Sequence, residues 1–466
     1  MTLPLAVDLD GTLCATDTFH EGLCRLAAVR PAGFLAIPGW WRRGRARVKA
    51  GVAAITGTDA AHFPYRPDVL EWLRAEHAAG RELWLVTGAD RRTARAVADH
   101  LGIFRGVIAS DGRTNRVAEA KAAALTARFG AKGFAYAGDS GQDYAPWAAA
   151  GEAIVVGGRD PRVPVARRFA VPGAGARTWI KALRCHQWAK NALVFLPLLA
   201  AHAWHDPQAW LVTILAAVGL SLGASAVYLL NDLLDLPNDR RHERKRHRPL
   251  AAGRIRLPRA ALASALLFAG GLAVGWAAGP AVAAVVALHA IVTTLYSFRL
   301  KRIPLVDVFV LTGLYLIRPI AGALATGLAF SPWLAAVVFF LFLSLALAKR
   351  SAELQRIRPG AAPGRGWHRR DRPVVDAFGI GTGIAATVVL SLYLFSDKVG
   401  LLYREPMWLW PVVALLLSWI LRVWLKTARG RMHHDPLVFA LTDGPTWGIA
   451  VAVAGCVLLA TAGVRW

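Results

Sequence analysis

The stretch that decides the fold reads Tyr228-Leu-Leu-Asn231-Asp232-Leu-Leu-Asp235-Leu-Pro-Asn-Asp239, and it ends a long apolar segment. On a helix, positions 231, 235 and 239 share one face, and Asp232 lies beside them. Carboxylates crowded at a membrane boundary repel one another and are costly unless a cation neutralises them. Because Mg²⁺ prefers oxygen ligands and keeps substrate phosphates in its shell, the pattern predicts a magnesium-diphosphate site.

A strongly basic run follows these acidic residues directly and includes Arg240, Lys245 and Arg248. Arg and Lys form charge-assisted hydrogen bonds with phosphate oxygens, so the run suits the phosphate charge that a metal leaves uncompensated. The whole chain carries a formal net charge of +25. Its arginines cluster at the ends of apolar stretches, which favours a membrane and anionic lipid as partners, and not nucleic acid.

Long apolar stretches dominate the chain after about residue 185, whereas short apolar runs alternate with charged segments before it. A helix needs about 20 apolar residues to cross a bilayer. The sequence predicts nine spans, at 189–204, 208–229, 258–278, 280–297, 304–325, 331–348, 375–395, 407–425 and 444–463. The connections after spans two, four, six and eight are rich in Arg and Lys, which places them and the N-terminal domain in the cytoplasm.

Two acidic residues, Asp8 and Asp10, follow the first apolar strand of the soluble half and precede a Gly turn at Gly11. Carboxylates in this arrangement can divide the work of phosphate ester hydrolysis. Asp8 can attack phosphorus, while Asp10 exchanges a proton with the leaving oxygen. A magnesium ion would lower the repulsion between them.

Polar residues also follow the later strands of this half: Thr87 after an apolar strand, Lys121 near a helix start, and Asp139 and Asp143 after another strand. In an alternating strand-helix pattern, such residues converge at one edge of a parallel sheet. In this order the set resembles the four motifs of the haloacid dehalogenase-like (HAD) phosphohydrolase superfamily.

The HAD resemblance covers residues 1–160 and implies a Rossmann-like α/β domain with a small helical cap at about 17–65. It implies that Asp8 is the nucleophile and Asp10 the general acid/base, and that Thr87 and Lys121 steady the phosphoryl group. The magnesium ligands it implies are Asp8, Asp10, Asp139 and Asp143. Residues 161–180, rich in Gly and Pro, are predicted to link this domain to a membrane domain at 181–466.

The string Asn231-Asp232-x-x-Asp235-x-x-x-Asp239 resembles the first signature of the UbiA-type prenyltransferase superfamily, an all-α fold of nine transmembrane helices with a cytoplasmic active site. Three further strings, at 187–191, 239–249 and 296–301, resemble its decaprenyl-phosphate phosphoribosyltransferase-like branch. The resemblance covers the chain from about residue 178 onward.

That branch implies a magnesium-dependent transfer of 5-phosphoribose from phosphoribosyl pyrophosphate to a polyprenyl (decaprenyl) phosphate, as a precursor of cell-wall arabinan. Asn231, Asp232, Asp235 and Asp239 would hold the metal, with Asp232 and Asp235 catalytic, so each domain would have one Mg²⁺ site. The residues that would bind substrate are Lys190, Asn191, Arg240, Lys245, Arg248, Tyr296, Lys301, Asp307, Arg318 and Lys349.

The sequence departs from the aromatic prenyltransferase pattern, because the region 300–307 holds one Asp and extra cations where a second Asp-rich signature is expected. This favours a highly phosphorylated donor held partly by Lys and Arg. Asp307 is either catalytic or linked to the metal, or it is a polar residue at a helix start. Arg318, inside predicted span five, is either functional or paired with Asp307 or a neighbouring helix.

The fusion itself suggests a sequence of reactions. The HAD-like domain would remove the 5′-phosphate of the lipid product and give polyprenyl-phosphoryl ribose, with both active sites on the cytoplasmic side of a bacterial inner membrane. Two alternatives stay open: an aromatic prenyltransferase that uses an isoprenyl diphosphate donor, and a non-catalytic lipid-binding scaffold. The sequence also leaves open whether copies associate as a homo-oligomer.

Overall fold

The computed structural model describes residues 2–356, 366–432, 439–440 and 442–464. Residues 357–365, in the basic connection after predicted span six, lie outside the described residues. The chain divides into two compact units. Unit 1 joins residues 1–184 with 228–265, and unit 2 joins residues 185–227 with 266–466. The acidic motif and its basic run therefore belong to the same unit as the N-terminal domain.

The N-terminal domain contains eight helices and six strands. The strands are β1 (Leu5–Val7), β2 (Leu83–Asp90), β3 (Gly106–Ser110), β4 (Ala135–Gly138), β5 (Glu152–Val156) and β6 (Val165–Phe169). The helices are α1 (Thr18–Val29), α2 (Ile37–Trp41), α3 (Arg45–Thr56), α4 (Pro67–Ala78), α5 (Arg91–Leu101), α6 (Glu119–Phe129), α7 (Tyr144–Ala149) and α8 (Ala176–Leu183).

The described part of the remaining chain is helical. Its α-helices are α9 (Leu196–Ala200), α10 (Pro207–Leu234), α11 (Leu236–Arg241), α12 (Leu257–Ala278), α13 (Pro280–Phe298), α14 (Val306–Thr326), α15 (Pro332–Gln355), α16 (Arg372–Leu394), α17 (Asp397–Leu402), α18 (Trp410–Ala428) and α19 (Gly444–Ala462).

The six strands form one parallel sheet in the order β3-β2-β1-β4-β5-β6. Strands β1 and β4 are fully buried, as parallel strands covered on both faces by helices should be. The strand order reverses between β1 and β4, and ligands of open α/β sheets bind at such a switch point beyond the carboxyl ends of the strands. The predicted Rossmann-like α/β domain is confirmed.

Helices α1–α3 occupy the stretch where the cap is expected. Leu26, Val48 and Val52 join α1 to α3 through a small core of their own. Asp17 starts α1 by accepting hydrogen bonds from the amides of Phe19 and His20, which satisfies donors that a helix start leaves free. The cap therefore has internal packing that holds α1 and α3 together.

Eight helices among the described residues are long and apolar enough to cross a membrane, and nine were predicted. The predicted first span, 189–204, is not a spanning helix: a 3₁₀ helix at Cys185–Phe195 leads into the five-residue α9. Lys190 and Asn191 make this stretch polar, and Pro197 removes a backbone donor. The other eight predicted spans each coincide with a long helix.

Close helix packing in unit 2 depends on small residues. A Cβ atom on Gly219 of α10 would lie 3.0 Å from the carbonyl oxygen of Gly271 of α12, and the reverse distance is 2.9 Å. In a bilayer, where apolar helices gain little from burial, such small residues permit the close backbone contacts that hold helices together. This spacing explains the glycines in two otherwise Leu- and Ala-rich helices.

Candidate active sites

The carboxyl end of β1 carries the predicted nucleophile, Asp8, which is buried against Lys121 of α6. Lys121 Nζ lies 2.9 Å from Asp8 Oδ1 and 3.3 Å from Asp143 Oδ1, and it donates to the Tyr136 hydroxyl at 2.8 Å. An ammonium beside the nucleophilic carboxylate can also bind the phosphoryl oxygens that arrive there. The structure thus brings together Asp8, Lys121 and Asp143, as the sequence predicts.

Gly11 lets the loop after β1 approach Asp139 closely. Its φ is +82°, and a Cβ atom at this position would lie 2.4 Å from Asp139 Oδ2. A residue with a side chain would be strained here and would also collide with the carboxylate. The turn Asp10-Gly11-Thr12 is therefore required for the closeness of Asp139 to the end of β1.

Asp8, Asp139 and Asp143 each offer an oxygen such that all three lie within 4.8 Å of one another. Within the described ranges no other group of three His, Cys or acidic residues meets this condition. The donor set fits Mg²⁺, which prefers carboxylate oxygens. Asp10 lies outside the trio, and its Oδ1 accepts from the amide of Thr18 at 2.7 Å.

Asp143 is held by protein donors on both oxygens. Tyr136 OH donates to Oδ1 at 2.5 Å, and Oδ2 accepts from the amides of Asp139 and Ser140 and from the Ser140 hydroxyl. Burial raises the pKa of Asp143, but the Lys121 ammonium and these hydrogen bonds outweigh it and keep that pKa below its usual value. These donors fix Asp143 in place, so that it also orients Lys121 and the backbone of Asp139.

Three carboxylates at this sheet edge, unlike Asp143, have raised pKa values. Burial raises the pKa of Asp8, and the nearby Asp143 and Asp10 raise it further against the pull of Lys121. Burial and Asp17 raise the pKa of Asp10 to about 7, and burial and Asp143 raise that of Asp139 to about 6. Carboxylates with raised pKa values in a crowded cleft are typical of a catalytic or metal-binding site.

Two more residues line this edge. Thr87 is fully buried, and its hydroxyl accepts from the amide of Ala89 at 3.0 Å. Lys49 of the cap, which was not predicted, donates to the carbonyl of Gly88 at 2.6 Å and to Asn115 Oδ1 at 3.1 Å. Sequence offers no local signal for Lys49, because it reaches the site only through the packing of the cap.

The acidic motif at the end of α10 is surrounded by cations. Arg248 Nη1 donates to Asp232 Oδ1 at 3.0 Å and to Asp239 Oδ2 at 2.6 Å. Arg184, which was not predicted, donates to Asp232 Oδ1 at 2.5 Å, and Lys245 Nζ lies 3.7 Å from Asp239 Oδ1. Two predicted metal ligands and two predicted phosphate ligands therefore converge in one place.

The helix is interrupted within the motif at Asp235, between α10 and α11, and Pro237 is the second residue of α11. Proline lacks an amide hydrogen, yet the amides of Asp235 and Asp239 still bond to the carbonyls four residues earlier. Asp232 and Asp239, seven residues apart, consequently share one face and meet Arg248 together. The other two predicted metal ligands, Asn231 and Asp235, belong to the same stretch of sequence and are half-buried.

The donor set of this motif also fits a cation. Asp239 is 1% exposed, and its Oδ1 accepts no hydrogen bond in the described part of the chain, where the Lys245 ammonium approaches it only to 3.7 Å. A buried carboxylate oxygen without a donor is costly unless an ion or water completes it. The three acidic residues among the predicted ligands, Asp232, Asp235 and Asp239, do not form a cluster as tight as the one in the N-terminal domain.

Arg240, a predicted phosphate ligand, is engaged elsewhere. Its two terminal nitrogens donate to the two carboxylate oxygens of Glu21 in α1 at 2.5 and 2.6 Å, and its Nε donates to the carbonyl of Ala251. Arg241 pairs with Asp59 of the cap at 2.5 Å. The structure thus directs the first two arginines of the basic run toward the cap of the N-terminal domain.

In unit 2, Arg318 connects two other predicted substrate-binding residues, Asn191 by a hydrogen bond and Lys190 through the shared Tyr315 ring. Asn191 donates to Ser221 Oγ at 2.8 Å and accepts from Arg318 Nε at 2.9 Å, and both residues are buried. The Lys190 ammonium and the Arg318 guanidinium lie 5.8 and 5.3 Å from the centre of the Tyr315 ring, within cation–π range. Arg318 therefore does not depend on Asp307 as its partner.

Asp307 is a buried ion-pair partner of Arg350. The two side chains are 0% and 1% exposed, their closest N–O distance is 2.7 Å, and Trp367 Nε1 donates to Asp307 Oδ1 at 3.0 Å. Of the two interpretations left open by the sequence, this geometry favours a structural residue near the start of α14. The other predicted ligands of unit 2 are half-buried: Tyr296 in α13, Lys301 in a 3₁₀ turn at Leu300–Arg302 and Lys349 in α15.

Comparison with known families decides the relationship of the chain. Residues 192–442 match the UbiA prenyltransferase family, and residues 5–145 match the haloacid dehalogenase-like hydrolases. The chain belongs to the UbiA prenyltransferase family. It is an integral membrane protein with an N-terminal HAD-like domain, as the motifs of both halves predicted.

Three relatives show how far the likeness extends. The uncharacterised protein y4nM of Sinorhizobium fredii is 37% identical over 98% of this chain and 91% of its own length. Nodulation protein NoeC of Azorhizobium caulinodans is 32% identical over 57% of this chain and 88% of its own. Decaprenyl-phosphate phosphoribosyltransferase of Mycobacterium tuberculosis is 38% identical over 39% of this chain and 62% of its own.

Among solved structures, a UbiA homologue from Archaeoglobus fulgidus bound to GPP and Mg²⁺ matches 62% of this chain and 99% of its own, at 14% identity and a TM-score of 0.46. The digeranylgeranylglyceryl phosphate synthase structure matches with a TM-score of 0.44.

Proposed function

We propose that this UbiA family member is a magnesium-dependent polyprenyl-phosphate phosphoribosyltransferase whose HAD-like domain then removes the 5′-phosphate from the lipid product. The observation that carries the proposal is the meeting of Asp232 and Asp239 with Arg184, Lys245 and Arg248. A donor with three phosphate groups needs several cations beside its metal ligands. The similarity to decaprenyl-phosphate phosphoribosyltransferases supports the same donor.

In the transfer step, Asn231, Asp232, Asp235 and Asp239 would hold Mg²⁺. When bound, the ion would neutralise the pyrophosphate of the donor and help it depart. Arg184, Lys245 and Arg248 would bind its phosphate oxygens. The bond from ribose C1 to pyrophosphate breaks as a phosphate oxygen of the polyprenyl phosphate bonds to C1. That oxygen is already anionic, so no general base is needed.

In the hydrolysis step, the Asp8 carboxylate attacks the phosphorus of the 5′-phosphate, and the bond from phosphorus to the ribose oxygen breaks. Asp10 gives its proton to that oxygen. Asp10 then takes a proton from water as the water oxygen attacks the aspartyl phosphate, which releases inorganic phosphate and frees Asp8. Lys121 holds the phosphoryl oxygens in both steps, and Asp139 would hold the Mg²⁺ of this domain together with Asp8.

The positive-inside rule supports placing the basic connections, and both sites with them, in the cytoplasm of a bacterium. The product would keep its 5′-phosphate on that side, where the HAD-like domain can reach it. A pentose carried on a polyprenyl phosphate suits the building of envelope arabinan.

The donor test separates this proposal from its alternatives. Purified full-length protein is given one of two mixtures: polyprenyl phosphate with labelled phosphoribosyl pyrophosphate, or an aromatic acceptor with labelled isoprenyl diphosphate. The lipids are then separated and their label is counted. We expect label from phosphoribosyl pyrophosphate to enter the lipid. Turnover of the isoprenyl diphosphate alone would favour an aromatic prenyltransferase, and no turnover of either donor would favour a scaffold.

A further inference from the structure

A cavity lies between the cap helices α1 and α3 and the segment 236–240, which follows the acidic motif. All of these residues belong to unit 1. The cavity has a volume of about 60 Å³ and opens to solvent. Its position beside the sheet edge makes it a candidate subsite for the part of the substrate that remains after phosphate is removed.

Two residues connect this cavity to the reacting groups. Thr18 lines it and donates its amide to Asp10, the residue that protonates the leaving oxygen. Lys49 also lines it and is bonded to Gly88, next to Thr87 on β2. Through Thr18 the cavity adjoins Asp10, although neither Asp8 nor Asp10 lines it.

The opposite wall comes from the sequence that follows the transferase motif. Leu236, Pro237 and Arg240 line the cavity, and the bidentate Arg240–Glu21 pair fixes them against α1. Both partners of that pair are nearly buried, with side chains 6% and 10% exposed. The chain after the motif contacts the N-terminal domain again at Gly253, where a Cβ atom would lie 2.7 Å from the Cβ of Ala15.

We propose that residues 236–240 form a specificity wall of the phosphatase subsite, which accepts a phosphorylated pentose already joined to a lipid phosphate. This inference rests on the proposed function and deepens it. The lining combines apolar faces, from Phe19, Val52 and Leu236, with the cations Arg25 and Lys49 and with the carboxylates of Asp59 and Asp90. Groups of both signs suit the hydroxyls of a sugar ring, and the two cations suit an anionic phosphodiester at its other end. A phosphatase for free sugar phosphates would not need a wall from the lipid-handling half.

The test compares two phosphate esters on the full-length protein in detergent. One is the phosphorylated lipid accumulated by the Asp8→Asn variant, and the other is p-nitrophenyl phosphate, which is too small to need the wall. Glu21→Gln removes the charge that holds Arg240. We expect kcat/KM for the lipid ester to fall about 10-fold, and that for p-nitrophenyl phosphate to stay within about 2-fold.

Two further variants distinguish an effect on the subsite from a loss of folded protein, because an unpaired buried Arg240 is destabilising. The double variant Glu21→Arg with Arg240→Glu restores an ion pair and should recover most of the activity on the lipid ester. Glu82→Gln removes an exposed pair with Arg105 and serves as the matched control.

Equal effects of Glu21→Gln on both esters, or no effect on either, would overturn the specificity wall and leave the proposed function standing. If the wild-type protein hydrolyses p-nitrophenyl phosphate and leaves the lipid ester intact, the proposed function itself fails and the wall fails with it.

Discussion

Arg248 donates to Asp239 at 2.6 Å, and this contact places a cation of the basic run against the last carboxylate of the acidic motif. The same nitrogen reaches Asp232. A site that is to receive both a metal ion and a polyphosphate needs opposite charges side by side, so that each ligand finds its partner when it arrives. The acidic motif and the basic run that follows it therefore form one continuous candidate site.

The first prediction concerns Asp239. Asp239→Asn keeps the size of the side chain but removes a buried carboxylate that would hold the metal, so phosphoribosyl transfer to lipid should fall on the order of 100-fold. Asn238→Ala changes the exposed neighbour on the same helix and should leave the rate within about 2-fold. Transfer by Asp239→Asn at the wild-type rate would remove this residue from the site.

The second prediction concerns pH in the metal-free protein. Asp10 and Asp139 have folded pKa values of about 7 and about 6, above the ordinary value of 3.8, because of burial. The folded state thus binds protons more tightly than the unfolded state, so stability is present at low pH and is lost as pH rises from about 4 through 7. In chelator, the thermal midpoint at pH 8 should be lower than the thermal midpoint at pH 5.

Two further measurements, one on a variant and one with Mg²⁺, test the cause of that pH dependence. Asp10→Asn should flatten it and stabilise the metal-free protein at pH 8 by on the order of 2 kcal/mol. Mg²⁺ should raise the midpoint more at pH 8 than at pH 5, because protons compete with the metal for carboxylates. A midpoint that rises with pH in chelator would contradict the assigned shifts.

The third prediction assigns Asp307 to stability. Asp307→Asn removes the fully buried carboxylate that pairs with Arg350 and leaves Glu353, whose side chain is 30% exposed, as a charge partner of that arginine. It should destabilise the protein by up to about 3–5 kcal/mol, seen as lower yield and a lower thermal midpoint. Asp376→Asn breaks a pair with Arg372 whose side chains are 30% and 28% exposed, and should cost less than about 1 kcal/mol. A well-folded Asp307→Asn protein with a specific KM defect would instead make Asp307 a substrate ligand.

The fourth prediction concerns Lys49 of the cap. Lys49→Met removes the cation beside Asp10 while keeping an apolar stem, so KM for a phosphorylated pentose should rise about 10-fold or more. Arg45→Ala, at an exposed position of the same helix, is the matched control. Steady-state phosphate release measures both, and equal kinetics in the two variants would exclude a role for Lys49 in binding.

The sequence anticipated the features that depend on local order. Asp8 and Asp139 follow strands of a parallel sheet, so their meeting at one edge is implied by their positions. Asp232 and Asp239 are seven residues apart, which puts both on one helical face. Apolar length likewise predicted eight of the nine proposed spans, because span length reflects bilayer thickness.

What could not be predicted depends on contacts between distant residues. Arg184 and Asp232 are in contact although they are 48 residues apart in the sequence, and Arg240 and Glu21 are 219 residues apart. The basic run was interpreted as a set of phosphate ligands, because composition cannot separate an arginine that binds substrate from one that pairs with a distant carboxylate. The short helices at 185–200 were missed for a related reason, since hydropathy does not register the polar contacts of Asn191.

The most direct test of the account is the mass of the lipid that accumulates when full-length protein is incubated with polyprenyl phosphate, phosphoribosyl pyrophosphate and Mg²⁺. We predict polyprenyl-phosphoryl ribose from the wild-type protein, the same lipid heavier by one phosphate from Asp8→Asn, and neither in excess chelator. Identical lipids from the two proteins, or undiminished product in chelator, would contradict it.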